Sequence, residues 1–373
     1  MGYRLFWLVQ TPAVETESPQ PPNHWNLENP FIKAEIDPNT GDITSLFDKH
    51  HQRETLSGPG NQLQAFKDQG QYWDAWNIAP DYADHPLPST QLEAIQWIEW
   101  GSLRQRLRVV RQLNQSTFTQ DYILDSHSPI LKIETAVDWQ ETQVVLKASF
   151  PLTVQSDHAT YEIPFGAIAR ATNPQTPQEK AKWEVPALRW ADLSQVDYGV
   201  SLLTDCKHGF DASPSQLRLT LLKAPLWPDP TADRGEHHFT YALYPHPGDW
   251  KQAQTVHHAH ALNLPLHTVT ASLQQSQPQL EVGSAVSFLD LGDSNLILAA
   301  LKQAEDNPTQ LVLRCYEAYG YTSHLTVQSP LPITLASPVN LLEDPQELSP
   351  RDPSKLAPWQ VASYEVISTA SEP

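Results

Sequence analysis

The chain has 373 residues, too many for one ordinary core, so two or three domains are expected. Its 24 basic and 43 acidic residues leave a net charge of −19, which disfavours unassisted binding to nucleic acid or to an anionic membrane surface. Two cysteines, Cys206 and Cys315, cannot build a disulfide framework and indicate a reducing compartment. No window reaches the roughly 18 apolar residues of a membrane span. A soluble, cytoplasmic protein is therefore expected.

The composition favours strands over helices. The chain has 33 prolines and few long runs of strong helix formers, so mostly short strands are expected. A first strand is predicted at 3–9, and the proline-rich stretch 16–22 is predicted to be an extended linker because it cannot continue a sheet. Alternating runs at 31–37 and 43–48 flank Pro38-Asn39-Thr40-Gly41-Asp42, which predicts strand, turn and strand.

The densest cluster of aromatic and polar residues is Gln71-Tyr72-Trp73-Asp74-Ala75-Trp76-Asn77-Ile78. From these residues alone two interpretations stay open. In the first, the rings stack on the C–H surface of a pyranose while Asp74 and Asn77 bind its hydroxyls. In the second, the stretch is an aromatic core strand whose aspartate caps a neighbouring loop, since a charge between two tryptophans must be solvated, paired or used.

A predicted strand at 103–111 carries a row of arginines on one face, because residues two apart point the same way. Such a row could bind an acidic ligand. In a chain with a net charge of −19, cross-strand pairing with carboxylates of the next strand is favoured. Arg111 does not follow the period of two that relates the other arginines of the row. The residues concerned are the arginines Arg104, Arg106 and Arg108 and the carboxylates Asp121 and Asp125.

The remaining strands are predicted to form two sandwiches. A large antiparallel sandwich includes strands at 92–101, 116–124, 130–139 and 143–151. After a second boundary near Trp250 and a stretch of helical or irregular character at 251–260, a smaller sandwich follows. Its strands are predicted at 286–291, 296–303, 310–318, 324–328, 333–337 and 359–367. The predicted domains are 1–22, a leading strand and linker; 23–255, the large sandwich; and 256–373, the small one.

Fifteen histidines raise the question of a metal site. If 257–260 formed a strand, His258 and His260 would lie on one face. No carboxylate completes a clear tetrahedral set, and true sites need three or four convergent ligands, so no metal site is predicted. Cys206 is interpreted as a buried small hydrophobe rather than a nucleophile, because no basic pair lies near it in sequence.

Six segments follow one another along the chain and together are similar to one known family. They are Tyr72-Trp73-Asp74-Ala75-Trp76, Tyr161-Glu162-Ile163-Pro164-Phe165-Gly166, Arg189-Trp190-Ala191-Asp192-Leu193-Ser194, Tyr198-Gly199-Val200-Ser201-Leu202-Leu203-Thr204-Asp205-Cys206-Lys207-His208-Gly209, Gly235-Glu236-His237-His238-Phe239-Thr240-Tyr241-Ala242-Leu243-Tyr244-Pro245-His246 and Leu313-Arg314-Cys315-Tyr316-Glu317-Ala318. From about Tyr3 onward, the chain resembles the C-terminal half of the class II α-mannosidases, glycoside hydrolase family 38, in their cytosolic and microbial branch.

The resemblance implies an all-β fold, with a large antiparallel supersandwich of the galactose-mutarotase-like type followed by a smaller C-terminal β-sandwich. It also implies that the catalytic machinery lies upstream, where a β/α domain and a helical bundle hold a zinc ion, an aspartate nucleophile and an acid/base carboxylate. No catalytic residue and no metal ligand is therefore expected here, and zinc would be bound by residues outside the chain. A retaining glycosidase needs two carboxyl groups flanking the bond, so the chain alone should not hydrolyse mannosides.

For the sugar itself, the resemblance implies that the segment from Tyr72 to Trp76 forms one wall of a mannose pocket. Tyr72 and Asp74 are predicted to contact hydroxyls, and Trp73 and Trp76 to pack or stack. For two weaker candidates, a structural ion pair between the sandwich and a neighbouring domain is at least as good an interpretation; they are Arg189 and Asp192.

The expected function is that of the C-terminal portion of an α-mannosidase. Its expected partners are an α-mannoside oligosaccharide and a catalytic N-terminal domain or chain, with no nucleic acid and no membrane. Two alternatives stay open: a stand-alone carbohydrate-binding module without chemistry, and a structural subunit that completes a separately encoded catalytic chain.

Overall fold

A computed structural model describes residues 2–6, 20–70, 73–270, 285–346 and 352–368. The chain divides into two compact units. The larger unit comprises residues 16–163 and 168–265, and the smaller one comprises 1–15, 164–167 and 266–373. No helix of the described residues is long and apolar enough to cross a membrane.

Strands dominate the described residues, as the composition predicts. Up to Asp125 they are β1 (Gly2–Arg4), β2 (Asn26–Glu28), β3 (Ile32–Ile36), β4 (Ile43–Asp48), β5 (Arg53–Glu54), β6 (Gln62–Lys67), β7 (Gln91–Trp100), β8 (Arg104–Leu113) and β9 (Ser116–Asp125). From there to Pro247 they are β10 (Leu131–Trp139), β11 (Val144–Pro151), β12 (His158–Ile163), β13 (Gly166–Ala171), β14 (Val185–Pro186), β15 (Trp190–Ser194), β16 (Tyr198–Thr204), β17 (Gly209–Ser213), β18 (Gln216–Lys223) and β19 (Gly235–Pro247). The last strands are β20 (Ala285–Ser287), β21 (Asp290–Gly292), β22 (Leu296–Gln303), β23 (Leu311–Glu317), β24 (Ser323–Gln328), β25 (Ile333–Val339), β26 (Lys355–Leu356) and β27 (Val361–Ser368). Helical elements are α1 (Pro177–Lys180), α2 (Thr255–Asn263) and a 3-10 turn at Tyr82–Asp84.

The larger unit is built from three antiparallel sheets around one continuous apolar core. Nine strands follow the order β13-β12-β15-β16-β19-β10-β9-β8-β7, five follow β14-β17-β18-β11-β6, and four follow β2-β3-β4-β5. Alternate residues of each sheet enter the core, as half-buried antiparallel strands require. In the smaller unit, two sheets in the orders β22-β23-β27-β25 and β21-β24-β26 enclose a second core. The predicted all-β fold, a large antiparallel supersandwich followed by a smaller β-sandwich, is confirmed.

The arginine row of β8 pairs across to β9 as predicted. Arg108 Nε lies 2.7 Å from Asp121 Oδ1, and Arg106 Nη2 lies 2.5 Å from Asp121 Oδ2. Arg104 Nε lies 2.6 Å from Asp125 Oδ1. The row therefore stabilises the exposed face of the nine-stranded sheet and is not free to bind an acidic ligand.

Arg111 lies on the opposite face of β8 and is fully buried. Its guanidinium lies 3.2 Å from Asp42 Oδ1 and donates to the carbonyl oxygens of Asn61 and Gly41 and, at 3.1 Å, to the hydroxyl of Tyr122. Burial raises the pKa of Asp42, and the charge of Arg111 opposes that rise. The arginine that falls out of step in sequence is thus a core residue that holds the turn between β3 and β4 against β8.

A second buried cation lies on the outer face of the five-stranded sheet. Lys147 in β11 is fully buried, and its ammonium group donates to Glu184, to Asp211 at 2.8 Å and to Thr220 at 2.8 Å. It also lies 5.1 Å from the centre of the Tyr82 ring. Burial lowers the pKa of Lys147, but the two carboxylates outweigh it and the net pKa is raised.

The predicted helical or irregular character of 251–260 agrees with the structure, in which residues 255–263 form the helix α2, so the conditional strand geometry of 257–260 does not apply. The helix packs on β15 and β16, and Asn263 Nδ2 donates to the carbonyl oxygen of Thr204 at 2.9 Å. Residues two apart point in different directions on a helix, so His258 and His260 do not share a face. His258 packs its ring 4.4 Å from that of Tyr244, and Arg189 Nη1 donates to His260 Nδ1 at 3.1 Å.

Candidate functional site: an aromatic surface on the larger unit

The aromatic stretch forms a surface turn rather than a strand over its described residues. The amide of Trp76 donates to the carbonyl oxygen of Trp73 at 2.8 Å, and Trp73 has a φ of +56°, in the left-handed region. The side chains of Trp73 and Trp76 are 60% and 82% exposed. Residues 73–79, here called the aromatic loop, therefore present their rings to solvent, and the core-strand interpretation is wrong for them. Tyr72, predicted to contact sugar hydroxyls, lies outside the described residues.

Asp74 points inward between these exposed rings. Its side chain is buried, and its oxygens accept the backbone amides of Leu226 at 2.7 Å and Trp227 at 3.0 Å. Lys223 Nζ donates to the Asp74 carbonyl oxygen. The aspartate thus joins the aromatic loop to residues 224–234, here called the 224–234 loop, which is the capping role of the second interpretation. Its predicted contact with sugar hydroxyls stays a prediction.

The base of the aromatic loop is fixed by a second set of contacts. Asp68 Oδ1 accepts the amide of Ala79 at 2.7 Å, and Asp68 Oδ2 lies 2.8 Å from Lys223 Nζ. Ile78 and Ala79 are buried against Phe66. Since these anchors combine apolar burial with ionic contacts, the exposed tryptophans stand on a rigid support.

Trp227 contributes a ring that sequence reasoning missed. It is 48% exposed, and its ring lies 4.5 Å from that of Trp73 at an interplanar angle of 79°. The available signal was a tryptophan between prolines in a loop, Pro225-Leu226-Trp227-Pro228, but nothing in the sequence brings that loop to residue 73.

The two further candidates, Arg189 and Asp192, belong to separate internal networks. Arg189 pairs with the buried Glu162 at 2.5 Å. Asp192 Oδ2 lies 2.8 Å from His246 Nε2 and accepts from Ser201 Oγ at 2.7 Å. These contacts lie within the larger unit, with Arg189 in an ion pair with a carboxylate and Asp192 hydrogen-bonded to a serine beside a histidine, and a sugar contact by either residue stays a prediction.

The Asp192, His246 and Ser201 cluster does not have the geometry of a nucleophile triad. Both the carboxylate and the serine hydroxyl lie against the same imidazole nitrogen, Nε2, at 2.8 Å and 3.1 Å. A triad needs the aspartate on one ring nitrogen and the nucleophile on the other. All three side chains are also buried, so a substrate cannot reach the hydroxyl.

Histidine and cysteine chemistry gives no competing centre in the described part of the chain. Among the described residues, no three His, Cys, Asp or Glu side chains converge as metal ligands do. Burial, followed by the charge of Arg189, lowers the pKa of His260 to about 4. Cys206 is exposed, so its interpretation as a buried residue is wrong. Partial desolvation of the sulfur, with Asp205 beside it, raises the pKa of the Cys206 thiol to about 11, which leaves little thiolate at neutral pH.

Comparisons with known proteins agree with this architecture. The profile described as the glycosyl hydrolases family 38 C-terminal domain matches residues 27–231, and that of the family 38 C-terminal beta sandwich domain matches 295–364. Alpha-mannosidase 2C1 of Homo sapiens is 37% identical over 353 residues, which cover 91% of this chain and 33% of that protein. Alpha-mannosidase G of Dictyostelium discoideum is 31% identical over 361 residues, 92% of this chain and 32% of that one.

A solved structure has the same fold at low sequence identity. The crystal structure of an alpha-mannosidase from Enterococcus faecalis V583 superposes with a TM-score of 0.74 at 14% identity, over 92% of this chain and 42% of that one. This chain spans about a third of the length of the curated relatives it matches. Because one family profile covers more than half of its residues and a second covers the smaller sandwich, the chain belongs to glycosyl hydrolase family 38, of which it carries the C-terminal domains.

Proposed function

We propose that this chain is the sugar-contacting, non-catalytic C-terminal part of an α-mannosidase that hydrolyses terminal α-D-mannosides. The observation that carries the proposal is the aromatic loop, which holds Trp73 and Trp76 outward on a rigid support in a chain of this family. Exposed aromatic faces can pack on the apolar C–H face of a pyranose, and aromatic side chains line many ligand sites. The curated relatives are named as alpha-mannosidases, which supports the substrate class.

The chemistry of glycoside hydrolysis is assigned to residues outside this chain. A glycosidase needs two carboxyl groups placed on either side of the scissile bond. The buried carboxylates described above are engaged by internal donors: Asp74 by two backbone amides, Glu162 by Arg189, and Asp192 by Ser201 beside His246. None of these three is available as an acid or nucleophile towards a sugar at the surface.

The zinc ion that the family resemblance implies does not fit the described residues. They bring no three His, Cys, Asp or Glu side chains together, so no step is derived through a metal here. We place the zinc site of the whole enzyme outside this chain and propose a cytoplasmic location. The location is supported by the two cysteines, which are unpaired.

The proposal is tested with the 373-residue chain. Its tryptophan fluorescence and its saturation-transfer NMR spectra are followed during titration with methyl α-D-mannopyranoside, with methyl α-D-galactopyranoside as the control. Saturable binding of the mannoside with a Kd of about 1 mM, some 4 kcal/mol, is expected for one exposed half-site. Absence of mannoside binding, or equal binding of both sugars, would contradict a mannose-contacting role.

Catalysis is checked in the same preparation with an aryl α-mannoside and added zinc. No turnover above buffer is expected, because the proposal places the nucleophile and the acid/base carboxylate elsewhere. Turnover that survives purification by two independent routes would show that catalytic residues lie in this chain.

A further inference from the structure

Two loops that are far apart in sequence meet at one exposed pair of indole rings. Trp73 comes from the aromatic loop and Trp227 from the 224–234 loop. The rings stand nearly perpendicular, at 79° with centroids 4.5 Å apart, and about half or more of each side chain stays open to solvent. This pair, here called the tryptophan corner, is an angled aromatic surface rather than a flat patch.

We propose that the tryptophan corner is a pyranose-binding subsite in which Trp227 is a specificity-determining residue, and that Asp74 is the positioning residue that assembles it. The proposal rests on the proposed function, since it names the residues through which this part of the enzyme contacts sugar.

The shape of the corner favours a sugar ring over a flat aromatic or a lipid. One indole can lie under the C–H face of a pyranose, while the perpendicular indole contacts the ring edge, where axial and equatorial substituents differ. A single stacked ring would accept any hexose, whereas a second ring at 79° meets one edge of the sugar and distinguishes epimers.

Asp74 controls the angle between the two rings. Its two oxygens hold the consecutive amides of Leu226 and Trp227, so the backbone at Trp227 is fixed relative to the backbone at Asp74, next to Trp73. Lys223 strengthens the same junction by donating to the Asp74 carbonyl oxygen and pairing with Asp68 at 2.8 Å. The carboxylate is buried and engaged by the two amides, so the role proposed for it here is to position the tryptophans.

Both rings of the tryptophan corner also remain exposed to solvent, which leaves apolar surface uncovered. Contiguous exposed apolar surface, unlike single exposed apolar residues, is a common mark of binding sites. The Trp73 backbone has a φ of +56°, in the left-handed region that bulky residues rarely adopt. A protein segment covering the corner is the competing occupant, and with that occupant Trp227→Ala would leave the affinity for all three sugars unchanged.

The test uses the 373-residue chain with the variants Trp227→Ala, Trp227→Phe and Asp74→Asn, and with Trp359→Ala as the matched control. Trp359 is a tryptophan of the smaller unit that is 42% exposed. Affinity for methyl α-D-mannopyranoside and for its galacto and gluco epimers is measured by NMR titration. The Trp–Trp exciton band in the far-ultraviolet circular dichroism spectrum is recorded for each variant.

We expect Trp227→Ala to weaken mannoside binding at least 10-fold, Trp227→Phe to stay within about 3-fold of wild type because a ring is retained, and Trp359→Ala to have no effect. Asp74→Asn turns an NH₂ group towards one of the two amides, so it should lower the affinity about 3- to 10-fold and reduce the same exciton component that Trp227→Ala removes. A merely structural role for Asp74 would lower the melting temperature and leave the exciton band of the folded protein unchanged.

The outcomes separate this inference from the proposed function. Wild-type binding of mannoside that Trp227→Ala leaves intact overturns the corner and keeps the proposed function. Equal binding of all three epimers with the same dependence on Trp227 overturns the assignment of Trp227 as a specificity-determining residue and also contradicts a role in mannose recognition. Failure of the wild-type chain to bind any of the sugars overturns both the corner as a sugar subsite and the proposed function.

Discussion

Replacing Arg111 with methionine tests whether its buried guanidinium holds the β3–β4 turn to the nine-stranded sheet. The substitution keeps much of the side-chain volume but leaves Asp42 without its cation and removes the donors to Asn61 and Gly41. Breaking a buried pair by removing one partner costs roughly 3–5 kcal/mol. For a unit of this size the melting temperature should fall by roughly 10 °C.

Arg108→Met is the matched control, because it removes the same side chain from the other face of the same strand. The Arg108 side chain is 33% exposed, and Asp121 keeps its contact with Arg106, so a loss of about 1 kcal/mol is expected. Both variants are compared by calorimetry and urea unfolding. Equal losses in the two variants would refute the argument that burial, and not charge pairing as such, sets the cost.

The pH dependence of the Arg111→Met penalty gives an independent check. Burial already raises the pKa of Asp42, and removing Arg111 should raise it further. A carboxyl group with a raised folded-state pKa destabilises the protein when it is ionised, at pH values above that pKa, and not when it is protonated. The penalty should therefore be largest near pH 7 and shrink as the pH falls towards and below the Asp42 pKa. Adding Asp42→Asn should recover part of the loss at pH 7.

Two more predictions follow from buried or paired carboxylates. Burial raises the pKa of Asp121, but hydrogen bonds from Arg108 and Arg106 outweigh this effect and the net pKa is lowered. The stabilisation by ionised Asp121 is therefore present above about pH 4 and is lost as the pH falls below that value. Asp121→Asn should flatten this acid limb of the stability curve, and an unchanged limb would exclude the contacts of Asp121 with the two arginines as its source. Glu317 in β23 is fully buried. It accepts hydrogen bonds from the side-chain amide of Asn295 and from three backbone amides, those of Tyr319, Gly320 and Trp359. Glu317→Gln should lower the free energy of unfolding by about 2–3 kcal/mol, and hydrogen exchange should locate the loss of stability in the smaller unit alone.

The sequence predicts best where strand periodicity and local pairing decide the structure. Arg104, Arg106 and Arg108 alternate with apolar residues, and a period of two is enough to place them on one face opposite Asp121 and Asp125. The same argument separates the buried Arg111 from the row, but the turn that receives it lies some 70 positions earlier. Its partners were therefore not predictable from periodicity.

Prediction fails where the structure depends on contacts between distant loops. The aromatic loop and the 224–234 loop meet because Asp74 finds amides about 150 residues later, and no local pattern specifies that distance. The prediction of helical or irregular character at 251–260 left the bounds of α2 open, because the packing of this helix on β15 and β16 involves residues far earlier in the chain. The family resemblance predicts that residues 72–76 form one wall of a sugar pocket, but only the structure shows that Asp74 turns inward.

Because Lys147 is enclosed, chemical labelling of its amine can measure local opening of the fold. Its ammonium group is held by Glu184 before β14, Asp211 in β17 and Thr220 in β18, and none of its surface is open to solvent. An acylating reagent can modify Lys147 only when these segments separate, whereas exposed lysines react without any such opening. The rate of modification at this one site therefore measures how often the outer layer of the five-stranded sheet opens, the layer that also carries Tyr82 just beyond the aromatic loop.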